Sequence, residues 1–98
     1  MSMSNEELRE RISHCGDLCF ANANFEQALD AYMAAGNNTK LLVLAMACLK
    51  KARYSIAVKA RKAAGVPFTR DEIIQLADEC HDEGFPAEAA KVYALALE

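Results

Sequence analysis

Proline and glycine are scarce in this 98-residue chain, at two and four residues. Strand-and-turn architectures use both residues at their turns, whereas helix interiors exclude them, so the scarcity and the abundance of alanine favour an all-helical fold. No apolar run reaches the roughly 20 residues that a membrane-spanning helix needs. The opening "MSMSNEELRER" is polar and acidic, without the charged-then-apolar layout of a secretory signal. There is no CxxC pair and no glycine-rich phosphate loop, and neither histidine has a recognisable nucleophile partner. The four cysteines, in a chain without an export signal, read as reduced thiols in a cytoplasmic protein. The length sets the expectation of a single domain over 1–98.

A further absence is local. Residues 31–70 contain eight Lys or Arg and no acid, a charge of +8. Residues 1–30 carry six acids and two bases, giving −4, and residues 71–98 carry eight acids and one base, giving −7. The net charge of −3 therefore conceals an acidic, basic, acidic banding that solubility alone does not require.

Helix boundaries are well marked. Ser4 with Glu7 reads as a capping box, and Leu8, Ile12, Cys15 and Cys19 follow at helical spacing, predicting a helix over about 5–21. "NAN" at 22–24 turns the chain with Asn24 as N-cap, and a second helix runs from Phe25 to Ala35, stopped by Gly36 in the left-handed conformation. A third helix, from Lys40 to about Lys50, contains "LLVLAMACL", apolar nearly all round and so expected to lie between neighbours. A fourth spans about Arg53 to Ala64. Thr69 with Glu72 opens a fifth that ends at Gly84, with Phe68 placed to staple onto Ile73, and Pro86 opens a sixth that runs to the C-terminus. Six helices with short connections predict three antiparallel hairpins, at about 5–36, 39–65 and 69–97.

The hairpins repeat one another. Ala28, Ala57 and Ala89 serve as anchors spaced 29 and 32 residues apart. Seven residues later stand Ala35, Ala64 and Ala96; four later, Tyr32, Arg61 and Tyr93; nine earlier, Cys19, Cys48 and Cys80; twelve earlier, the small residues Gly16, Ala45 and Ala77. Small residues that let paired helices approach, with aromatics filling the gap to the next pair, are how a helical solenoid packs.

The stretch "GDLCFANANFEQALDAYMAA", with Gly16, Phe25, Ala28, Tyr32 and Ala35, resembles a tetratricopeptide repeat, and Gly84, Ala89, Tyr93 and Ala96 repeat the likeness in the third copy. Both intervals fall short of that family's period of about 34 residues, and Arg61 stands where an aromatic is expected. The resemblance implies a right-handed α-solenoid in which the first helix of each hairpin lines a concave groove. Carried over copy by copy, the groove residues are Glu10, Ser13, Asp17 and Phe20, then Thr39, Leu42, Met46 and Leu49, then Asp71, Ile74, Asp78 and His81. That gives an apolar floor with acidic ends, suited to a peptide or helix with basic flanks. Ser13 and Asp17 stand where the carboxylate-gripping members of the family carry Lys or Asn, which disfavours binding of a chaperone tail. The all-round apolarity of the third helix leaves a second reading open, in which Leu42, Met46 and Leu49 are core.

Chemistry-bearing residues are few. His14, Cys15 and Cys19 lie close in sequence and Cys80 adjoins His81, but Cys19, Cys48 and Cys80 are equivalent positions on stacked hairpins, about 10 Å apart and too far to share an ion. They read as small core hydrophobes, and no metal, cofactor or catalytic residue is assigned. The pairs Asp78/Glu79 and Asp82/Glu83 read as a solvated face. Lys50, Lys51, Arg53, Lys59, Arg61 and Lys62 form a basic cluster that either neutralises the acidic hairpins, with Arg61 reaching Asp71 or Glu72, or docks an acidic partner or nucleic acid; Tyr54 alone offers a base-stacking aromatic. Ala90, Tyr93 and Leu97 are expected to face outward from the last helix with no following hairpin to cover them. That leaves a different fold-back, self-association there, or further chain as the alternatives. The expected function is a non-catalytic protein-binding scaffold acting through the groove; the alternatives are self-assembly through the last helix and an adaptor acting through the basic cluster.

Overall fold

The computed structural model describes residues 2–98, and its described residues contain six helices and no strand. These are α1 (Asn5–Ala21), α2 (Phe25–Ala35), α3 (Asn38–Lys50), α4 (Tyr54–Ala63), α5 (Arg70–Asp82) and α6 (Pro86–Ala96). The boundaries follow the capping chemistry. Thr69 makes a full capping box: its hydroxyl accepts from the Glu72 N–H while the Glu72 carboxylate accepts from the Thr69 N–H at 2.8 Å. Ser4 makes only half of one, because Glu7 takes the Ser4 hydroxyl at 3.2 Å in place of the backbone N–H. α3 begins at Asn38, two residues before the expected Lys40. Asn37 is the reason: its side-chain oxygen accepts the Lys40 N–H at 3.1 Å and so starts the helix early.

The turns inside the three pairs are alike in a way that the residue types conceal. Asn24 caps nothing with its side chain. The chain turns because Ala23, Ala52 and Gly84, five residues before each anchor alanine, take left-handed φ values of 61°, 59° and 91°. At each turn the following N–H, from Asn24, Arg53 or Phe85, donates back to the carbonyl of Cys19, Cys48 or Cys80, at 2.8, 2.8 and 3.1 Å. This is the helix-terminating pattern of a left-handed residue, with alanine twice in the place that favours glycine.

Helices adjacent in sequence pack most extensively: α1 with α2, α3 with α4, α5 with α6. The pairs are joined mainly through their second helices, α2 against α4 and α4 against α6, and through α2 against α3. The molecule measures 54 × 25 × 16 Å with a radius of gyration of 14.5 Å, against about 13 Å for a globular chain of this length. One buried cluster joins α2, α3 and α4 through Leu29, Tyr32, Leu41, Leu44, Cys48 and Ala60. A smaller one joins Tyr54 to Ala77, Cys80, Ala89 and Val92.

The packing corrects the expectation for α3. Leu41, Leu44, Ala45 and Cys48 are buried, but Leu42, Val43 and Met46 are 38, 50 and 62% exposed. α3 is covered on one face only, because α1 packs mainly on α2 and touches just the start of α3, while α5 packs on α6 and α4. Leu42 and Met46 are therefore not core residues.

Candidate functional site

The residues expected to line a groove on the first helices are in part engaged within the fold. On α1, Ser13 accepts a hydrogen bond from the Asn37 amide at 3.1 Å, and Asp17 accepts the Tyr32 hydroxyl at 2.5 Å while pairing with Lys40 at 3.3 Å. Phe20 stacks edge-on against Phe25, with centroids 5.8 Å apart. These contacts hold α1 to α2 and to the start of α3. The Tyr32 bond, with help from Lys40, holds the Asp17 carboxyl below its ordinary range. Burial, reinforced by Asp17, pushes the Tyr32 hydroxyl well above its own. In the third pair Asp78 accepts the Tyr93 hydroxyl in the same manner, which raises Tyr93. Glu10, Thr39, Asp71 and His81 are exposed, while Leu49 and Ile74 are half-buried. His81 lies 3.8 Å from Asp82.

A well-formed cleft lies elsewhere. It has a volume of about 1050 Å³ and opens on the side of the second helices. None of the twelve first-helix residues lines it. Leu29 and Met33 of α2, Val58 of α4, Pro67 and Phe68 of the α4–α5 connection, Ile73 of α5 and Leu95 of α6 give it an apolar floor. Glu26 and Asp30, one turn apart on α2, form an acidic rim, and Lys59 and Lys62 of α4 with Arg70 form a basic one. Lys62 meets Glu98 at 3.6 Å along that rim. Sequence reasoning missed this site because it followed the first helices. The available signal was the spacing of Glu26/Asp30 and of Lys59/Lys62 on the outward faces of α2 and α4, with an aromatic in the connection between α4 and α5.

The basic cluster does not form one surface. Lys50, Lys51 and Arg53 lie at the α3–α4 turn, where the Arg53 guanidinium is 5.9 Å from the Phe25 ring centre. Lys59 and Lys62 line the cleft toward the other end of α4; Arg53 and Lys62 are nine residues apart, about 14 Å along the helix. Arg61 reaches neither Asp71 nor Glu72. Its Nε donates to the Val66 carbonyl at 2.8 Å and its guanidinium lies 4.3 Å from the Phe68 ring centre, so it fastens the α4–α5 connection. Glu72 is held below its usual range by the Thr69 N–H.

Cys48 and Cys80 are buried, Cys19 is half-buried and Cys15 is exposed. Burial pushes the Cys48 thiol up to about 11 and raises Cys80, which keeps both protonated and weakly nucleophilic. No group of three His, Cys, Asp or Glu side chains among the described residues is placed to hold a metal ion. No helix among them is long and apolar enough to cross a membrane.

At the far end of the molecule, Ala90, Tyr93, Ala94 and Leu97 of the last helix and its end, with Ile74 of α5, border a shallow depression of about 570 Å³. Tyr93 is 38% and Leu97 85% exposed. No protein-family model, no curated protein and no solved structure matches the chain.

Proposed function

We propose that this chain is a right-handed solenoid of three antiparallel helix hairpins, similar to tetratricopeptide repeats, and a non-catalytic module that binds an amphipathic helix of another protein. The binding site in this reading is the cleft of the second helices, not the first-helix groove that the resemblance implies. The observation that carries it is the cleft's layout: an apolar floor of about 1050 Å³ between an acidic rim on α2 and a basic rim on α4 and at Arg70. Small-molecule pockets run up to about 1000 Å³, and this open cleft, at about 1050 Å³, exceeds that and leaves room for a helical segment. Apolar side chains of the partner would supply most of the affinity, and its Lys or Arg facing Glu26 and Asp30, with Asp or Glu facing Lys59 and Lys62, would fix its direction.

The test is selection from a displayed library of amphipathic helical peptides, followed by anisotropy titration of the selected peptides. The expected outcome is that Met33→Glu, at a half-exposed cleft residue, weakens binding at least about tenfold, a change of about 1.4 kcal/mol, while Met46→Glu leaves it unchanged. The reverse result would move the site to the exposed Leu42–Met46 face of α3 and end the cleft reading. A library without binders of either charge order would end both.

A further inference from the structure

We propose that copies of this chain stack head to tail, the α1 face of one copy seating on the exposed end of α6 in another and reproducing between molecules the junction that joins the first and second helix pairs within one.

Besides the packing of α4 on α2 through Ile56, Ala57 and Ala60, whose counterparts are Gln27, Ala28 and Ala31 of α2, that internal junction has four named parts on the side of α1 and α3. Leu41 and Leu44 of α3 pack in one cluster with Leu29 and Tyr32 of α2. Asn37 donates to Ser13, and Lys40 pairs with Asp17, itself held by Tyr32. The repeat spacing of 29 and 32 residues gives each part its counterpart at the two ends of the chain. Leu29 and Tyr32 become Ala90 and Tyr93, and Ser13 and Asp17 become Ile74 and Asp78, all on the third pair. Leu41 and Leu44 become Ile12 and Cys15, while Asn37 and Lys40 become Leu8 and Arg11, all on α1.

The counterpart sets are chemically matched, and all their members are exposed except the half-buried Ile12 and Ile74. Ile12 and Cys15 would meet Ala90 and Tyr93, an apolar contact in which Tyr93 is 38% exposed and Cys15 is exposed. Leu8, 44% exposed, would meet the half-buried Ile74, so the polar pair Asn37–Ser13 is replaced by an apolar pair. Arg11 would meet Asp78 as Lys40 meets Asp17, with the sign of each charge kept. Asp78 is already oriented by Tyr93 as Asp17 is by Tyr32. The junction between the second and third pairs keeps apolar counterparts in Val58, Ile73 and Leu76 but has no such charge pair: there the counterparts of Asp17 and Lys40 are Met46 and Glu72. The charge match is thus a property of the ends and not a by-product of repetition. Glu98, counterpart of Asn37 and hence of Leu8, must stand clear of the incoming helix, and the Lys62 ammonium draws it back toward α4. Because the two faces differ, the contact is heterologous and leaves a free face at each end of a stack.

Sedimentation equilibrium over a concentration series, with helix content checked by circular dichroism, tests this. The wild-type mass is expected to rise with concentration, R11E and D78K are each expected to remain monomeric, and their equimolar mixture to regain the wild-type behaviour. In that mixture the new glutamate of R11E meets the new lysine of D78K, and the native Arg11–Asp78 pair forms at the next junction. Leu8→Glu and Leu97→Glu, on the two faces and outside the described hydrogen bonds and ion pairs, repeat the reading without touching the partner of Tyr93; each is expected to stay monomeric. A wild type that is monomeric throughout, association that these variants leave intact, or a mixture of folded R11E and D78K that stays monomeric overturns the proposal. Met33→Glu changes the cleft and leaves the mass unaltered, which separates this result from that of peptide binding.

Discussion

Gly16 and Asp17 do two adjacent things on α1 for one tyrosine. A Cβ at Gly16 would lie 2.6 Å from Cε1 and 2.8 Å from Cδ1 of Tyr32, so only glycine lets the ring lie flat enough on α1 for its hydroxyl to reach Asp17. Tyr32 is 2% exposed and anchors the larger buried cluster, which leaves the ring little room to retreat. Gly16→Ala is therefore an overpacking change and is expected to destabilise the fold by about 1–3 kcal/mol, read as a lower urea midpoint at unchanged slope. The repeat offsets alone show that a small residue recurs here, as Ala45 and Ala77 do. They do not show that the first copy needs the smallest, because that depends on a ring from another helix.

At the level of the helix, α4 begins without a cap of its own: Arg53 makes no side-chain capping bond. Glu88 of α6 supplies the missing acceptor from another pair, its Oε2 taking the Ser55 N–H at 2.9 Å and the Ser55 hydroxyl at 2.7 Å. Ser55 is 6% exposed, so Glu88→Ala strands two buried donors. The expected cost is about 1–3 kcal/mol, seen as a lower melting temperature, and in a Ser55→Ala background the same change should cost less because one of the donors is already gone. Helix ends that are capped from nearby residues, such as Thr69 with Glu72, were legible in the sequence. An end capped across a span of 33 residues was not. The one-sided burial of α3 was likewise hidden, since "LLVLAMACL" has the same apolar residues on the covered face and on the bare one.

For the whole molecule the buried clusters are unequal. The larger takes its residues from α2, α3 and α4, whereas the one under α5 and α6 has Tyr54, Ala77, Cys80, Ala89 and Val92 as its buried members. A chain whose helix pairs contact mainly their neighbours loses structure from its weaker end first. Native-state hydrogen exchange in dilute solution is expected to show faster backbone exchange in α5 and α6 than in α2, α3 and α4; equal protection throughout would mean one cooperative unit. Element number, order and most boundaries could be read from caps and spacing, and so could the uncovered end at Tyr93 and Leu97. The cleft could not, because it depends on which helices join the pairs: the packing of α2 on α4 and α4 on α6 is three-dimensional information that no offset in the sequence carries.

The connection between α4 and α5 holds the three residues by which the second interval exceeds the first, and it places Pro67 and Phe68 in the cleft wall. Three residues added inside a helix instead would turn everything beyond them by about 300° at 3.6 residues per turn, swinging Ala77 and Cys80 out of the core. Length can therefore change in that connection while the buried faces keep their phase. The segment acts as an adjustable spacer: lengthening or shortening it resets the width of the cleft and leaves the helices that frame it intact.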